Sequence, residues 1–74
     1  MNDIAKPSKS RVTLIIDIVE DDGQWRVRLC RNVYSEHKEE EGARRQASEL
    51  ATEARQLGHE VEIWDRTARA TRLL

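Results

Sequence analysis

The sequence predicts an α+β domain, a two-layer β-β-α-β(-β) sandwich in which one helix packs on a mainly antiparallel sheet of three to four strands. Three observations carry that prediction. A β-branched run from Arg11 to Val19 alternates with the period of a strand, and an Asp22-Gly23 step joins it to a second strand-like run. Beyond them, Ala43, Ala47, Leu50, Ala51, Ala54 and Leu57 recur at steps of three and four, the spacing of one helix face. Small side chains on that face let a helix lie close against a sheet.

In the first strand, Val12, Leu14, Ile16 and Ile18 fall on one face and Thr13, Ile15, Asp17 and Val19 on the other. So much apolar surface suits a central strand. Glycine tolerates the positive φ of a tight hairpin, so Glu20 to Gly23 is read as the turn and Gln24 to about Asn32 as the second strand. There Trp25, Val27 and Leu29 share the core face, and Arg26, Arg28 and Cys30 share the opposite one. Val33, Tyr34 and Ser35 then lead into the helix, with Ser35 or His37 near its start. The acidic run Glu39 to Glu41 occupies its early turns, where negative charge suits the helix dipole.

Gly42 weakens the first part of the helix, and Gly58 ends it as a C-terminal cap. Glu40 with Arg44, Glu41 with Arg45 and Arg45 with Glu49 have the spacing of solvent-facing ion pairs. The third strand, His59 to Asp65, gives Val61 and Ile63 to the core and places Glu60, Glu62 and Trp64 opposite. After a tight turn near Asp65 to Ala68, Arg69 to Leu74 either returns as a short edge strand or runs on as a tail. A helix crossing back over the sheet would set the third strand parallel to the second and antiparallel to the first. The expected order is second, first, third, fourth.

At 74 residues the chain is read as one small domain over 11–74 behind a polar tail, Met1 to Ser10, that holds the only proline. Charged residues make up 36% of the chain, but 13 Lys and Arg nearly cancel 14 Asp and Glu, for a net charge of −1. That balance removes any global drive toward nucleic acid or an anionic membrane. There is no Phe, so the aliphatic strand residues supply most of the hydrophobic free energy. Cys30, the only cysteine, rules out an intramolecular disulfide and a zinc site built on several thiolates. No run approaches the length of a membrane span, and the first ten residues lack the apolar stretch of a secretory signal. The expected location is the cytoplasm.

One helix covers one side of a sheet, so the composition of the other side is the best functional clue. That face should carry Thr13, Ile15, Asp17, Arg26, Arg28, Cys30, Glu62 and Trp64. Ile15 and Trp64 are out of place on a solvated surface, and Arg and Trp are common anchors of interfaces. Ile15, Arg26, Arg28 and Trp64 are therefore the predicted interaction surface. A homodimer through it would bury Ile15, Cys30 and Trp64 and bring Arg26 and Arg28 to Asp17 or Glu62 of the second subunit. The alternative is a nucleic-acid platform made by Arg26, Arg28, Arg66, Arg69, Arg72 and Trp64, opposed by the acidic Asp17, Glu60 and Glu62.

Catalytic and metal chemistry find no motif. Glu20, Asp21 and Asp22 lack the ligand spacing of a calcium loop and read as a solvated turn. His37 and His59 lie near opposite ends of the helix, and Cys30, placed on a strand, reads as an inert, partly buried thiol. No cofactor, metal ligand or catalytic residue is assigned, and the chain is read as a non-catalytic interaction module.

Gly23-x-Trp25-x-Val27, Ala43-x-x-x-Ala47-x-x-Leu50-Ala51, Gly58 and Val61-x-Ile63 follow one another in an order that resembles a family of small bacterial domains of unknown function. Those domains have a Trp-bearing hairpin, an Ala- and Arg-rich helix and a short final strand pair, and the resemblance spans Arg11 to Asp65. It implies a compact α+β fold and no established activity. The chain departs from the family after the third strand, where Asp65-Arg66-Thr67-Ala68 stands in place of an Asp-Gly turn. Asp22-Gly23-Gln24-Trp25 also resembles the hairpin of small antitoxin-like domains, with Gln24 inserted and without their Pro- and Gly-containing segment before the helix.

Overall fold

The computed structural model describes residues 12–67 and 70–74. The expected tail at Met1 to Ser10, the end of the turn at Ala68, and Arg69 lie outside the described residues. Among the described residues, five strands and one helix follow in the order β1 (Thr13–Asp21), β2 (Gln24–Leu29), β3 (Asn32–His37), α1 (Glu40–Gln56), β4 (Glu60–Asp65) and β5 (Thr71–Arg72). The strands form one mixed sheet in the order β3-β2-β1-β4-β5, and α1 covers one face. The α+β class and the helix-on-sheet layering are as the sequence predicts.

The sheet has five strands where three to four were expected, because residues 32–37, read as an approach to the helix, form β3. That strand pairs antiparallel with β2, with a register shift opposite the Val27–Arg28 step, where Ser35 and Val33 are the partners and Tyr34 is skipped. It reverses the chain once more before the helix, which changes the direction in which β4 enters. β4 therefore runs parallel to β1, with Ile16 opposite Ile63 and Asp17 opposite Trp64, and not antiparallel to it as expected. β1 nonetheless lies in the middle, antiparallel to β2 on its other side. Thr71 and Arg72 pair with Asp65 and Trp64, so the last segment returns as a short edge strand.

Two hairpins of the same size differ in chemistry. The β1–β2 turn holds Asp22 at φ 55 and Gly23 at φ 77, the positive-φ pair that Asp-Gly accommodates. Between β2 and β3 the same two positions are held by Cys30 at φ 52 and Arg31 at φ 75, neither of them a turn-forming residue. A side chain with a Cβ in this region costs on the order of 1–2 kcal/mol per residue. The second strand therefore stops at Leu29, and Cys30 is exposed in a turn, correcting the partly buried strand position expected for it.

The core lies between α1 and the sheet. Ile16, Ile18 and Val27 are its largest fully buried side chains, joined by Ala43, Ala47, Leu50, Ala51, Ala54, Val61 and Ile63. Four alanines bring the helix backbone close to the strands. Leu57 is the exception to the predicted stripe: at the C-cap it is 78% exposed. Gly58, at φ 93, ends the helix in a Schellman motif, its N–H donating to the Arg55 carbonyl and that of His59 to the Ala54 carbonyl. At the other end, the helix begins at Glu40 with Glu39 as N-cap and no side-chain cap, not at Ser35 or His37. A Cβ at Gly42 would lie 3.2 Å from His37 Nδ1, so the glycine lets the first turn approach β3.

Candidate binding site on the open sheet face

The strand period delivers Ile15 and Asp17 of β1, Arg26 and Arg28 of β2, and Glu62 and Trp64 of β4 to the face that α1 leaves uncovered. At its centre Asp17 is only 3% exposed although α1 lies on the opposite face. Two arginines close over it. Arg28 Nη2, from directly across the β1–β2 ladder, donates to Asp17 Oδ2 at 3.2 Å, and Arg66 Nε, just beyond β4, donates to Oδ1 at 2.7 Å. Arg28 and Arg66 each remain about a third exposed, so their outer edges stay in solvent. Arg28 Nε, by contrast, is buried without an acceptor.

Arg66 also binds the aromatic residue of this face. Its Cζ lies 4.6 Å from the centroid of the Trp64 ring, a cation–π arrangement. Trp64 Nε1 donates to Glu62 Oε1 at 3.0 Å, and Arg72 of β5 stands 3.8 Å from Glu62 Oε2. A continuous chain thus runs from Arg28 through Asp17, Arg66, Trp64 and Glu62 to Arg72. Beside it opens a cleft of about 400 Å³ lined by Ile15, Asp17, Cys30, Arg31, Glu62, Trp64 and Arg66. The strained Cys30-Arg31 turn forms one wall, held to β1 by the Cys30 N–H, which donates to the Ile15 carbonyl at 2.8 Å.

Of the predicted contact set, Ile15 and Trp64 line the cleft, and Arg28 reaches it through Asp17. Arg26 stands apart, bonded to Glu36 Oε2 at 3.2 Å and 4.0 Å from Asp21. The cross-subunit pairing expected for Arg26 and Arg28 is already made within one chain, by Glu36 and Asp17. Sequence reasoning put Asp17 and Cys30 on this face without seeing the closure over Asp17, and it missed Arg31 entirely. The available signal was a lone acid in an apolar central strand, opposite an arginine.

Elsewhere, Ser35 Oγ and His37 Nε2 lie 2.9 Å apart on β3. No carboxylate among the described residues orients the other ring nitrogen, so the pair lacks the third member that a nucleophile–base relay uses. No group of three His, Cys, Asp or Glu is placed to hold a metal ion among the described residues. Within the same limits, no helix is long and apolar enough to cross a membrane. Comparison with protein-family models, with curated proteins and with solved structures finds no match.

Proposed function

We propose that this chain is a non-catalytic interaction module that makes its contacts through the open face of the sheet, with a second copy of itself as the first partner to test. The observation that carries the reading is the cleft in which Ile15 and Trp64 lie among Asp17, Arg31, Glu62 and Arg66, a concavity of mixed apolar and charged lining on the sheet face that α1 leaves uncovered. Side chains of this kind anchor interfaces when flanked by polar groups that exclude water. A net charge of −1 puts little global repulsion between two copies. A cytoplasmic setting accords with an exposed, unpaired thiol at Cys30, which a reducing compartment preserves.

The nucleic-acid alternative draws less support from the geometry. Arg26, Arg28, Arg66 and Arg72 each sit against a carboxylate, and Arg66 covers the Trp64 ring on which a base would stack. Light scattering over a concentration series separates the readings. The expected result is a mass that rises from the 8.6 kDa of one chain toward twice that value, and that Ile15→Lys and Trp64→Ala return to the monomer. A monomer at every concentration, together with salt-sensitive binding of a single-stranded oligonucleotide, would replace this reading with the alternative.

A further inference from the structure

We infer that the cleft on the open face is a binding site for a small organic anion, a carboxylate or phosphate carried on an apolar or aromatic body, with Arg31 as its anchoring cation. The inference rests on the open face being the contact surface, and adds the chemistry of what enters it. Arg28, Arg66 and Arg72 all stand against carboxylates, whereas Arg31 meets none among the described residues. The lining itself balances, Asp17 and Glu62 against Arg31 and Arg66, and the local excess of positive charge comes from Arg28 and Arg72, which bind those two acids from outside it. Arg66 spends its Nε on Asp17, and its terminal nitrogens make no hydrogen bond among the described residues. The guanidinium donors around Asp17 and Glu62 thus outnumber the acceptors, and a planar anion is the group that a guanidinium fork holds best.

The backbone adds an independent reason. Arg31 occupies the second position of a two-residue turn at φ 75, where glycine would be free of strain. The neighbouring hairpin has Gly23 in the equivalent place. Strain retained at a position whose side chain lines a cleft points to work done by that side chain. Ile15 and Trp64 supply the apolar wall, and the volume of about 400 Å³ falls within the range of small-molecule sites. A neutral or cationic ligand would leave the excess charge uncompensated. A nucleic-acid strand would need a track of free cations on this face, whereas Arg26, Arg28, Arg66 and Arg72 are each held by a carboxylate and leave Arg31 as a single point of attachment among the described residues.

The test is an NMR titration of the ¹⁵N-labelled full chain with benzoate and phenyl phosphate, and with benzamide as the neutral isostere. Saturable shifts of the Trp64 indole N–H and the Ile15 and Cys30 amides are expected with either anion and not with benzamide, and the tighter of the two anions gives the head-group chemistry that the site prefers. Alkylation of Cys30 by iodoacetamide should slow in step with saturation. Arg31→Gly should keep a dispersed spectrum and an undiminished melting temperature while losing affinity by about tenfold or more, and Arg31→Lys should fall between the two. Shifts that never saturate, equal shifts with benzamide, or an Arg31→Gly chain that binds as tightly as the parent would each overturn the inference. Light scattering on the same samples keeps the two readings apart, because self-association without saturable anion binding would sink this one alone.

Discussion

Two residues on the open face pull stability in opposite directions. Asp17 is buried under two guanidinium groups, and its carboxylate is what permits Arg28 and Arg66 to lie on the sheet. In Asp17→Asn one acceptor oxygen becomes a donor facing an arginine. A loss of roughly 1–3 kcal/mol is expected, measured by urea denaturation. Because both arginines remain partly solvated, the cost should stay below that of a fully buried broken pair. Arg31 is the converse. Replacing it by glycine relieves the positive-φ strain, so Arg31→Gly should gain about 1 kcal/mol and melt about 4–8 °C higher, followed by circular dichroism. Lower stability would show that Arg31 makes contacts worth more than the strain. A residue that weakens the fold and lines the cleft is the usual trade between stability and binding.

At the scale of elements, the helix is held to the sheet by packing and, among the described residues, by one directed side-chain link. Arg44, on the first turns of α1, donates to Asp65 at the end of β4 at 2.5 Å while also bonding Glu40. The Thr67 hydroxyl and backbone N–H donate to the other Asp65 oxygen, and with Arg44 they hold that carboxyl below its ordinary 3.8. A depressed carboxyl stabilises the fold fully above its unfolded value and loses that contribution as pH falls through the folded one. The parent should therefore lose stability below pH 3.8 more steeply than Asp65→Asn, by a difference of about 0.5–1 kcal/mol, since Arg44 is partly solvated. Parallel acid-denaturation curves for the two proteins would remove the link. The elements legible from sequence were those whose local chemistry agreed with their tertiary role: the Asp-Gly hairpin, the alanine stripe, Gly58 and the alternation of β1 and β4. The β2–β3 hairpin was not legible, because Cys30 and Arg31 occupy positions that side chains avoid. With that turn hidden, Val33 and Tyr34 lost their meaning as strand residues, and the direction of β4 was misjudged in consequence.

For the molecule as a whole, the same logic separates the two faces of the sheet. The helix-covered face was readable almost residue by residue, because burial needs only apolarity at the right period. The open face was readable in its membership but not in its arrangement, because which carboxylate each arginine meets depends on strand order and on β3 supplying Glu36. The core beneath the helix is small and has little redundancy. Four of its members are alanines, so three large side chains, Ile16, Ile18 and Val27, carry a disproportionate share of the buried apolar surface. Ile16 sits on the central strand, with Leu29 and Ile63 as its partners across the two ladders. Ile16→Ala should cost about 2–5 kcal/mol, counting the cavity it leaves. A domain of this length has a total stability of only about 4–11 kcal/mol. The expected result is a fall in melting temperature of roughly 10–30 °C, or outright unfolding at ambient temperature. Leu57→Ala is the matched control, since the same kind of truncation at an exposed helix end should change stability by less than about 0.5 kcal/mol. Equal effects at the two positions would mean that the helix does not pack on β1 as described.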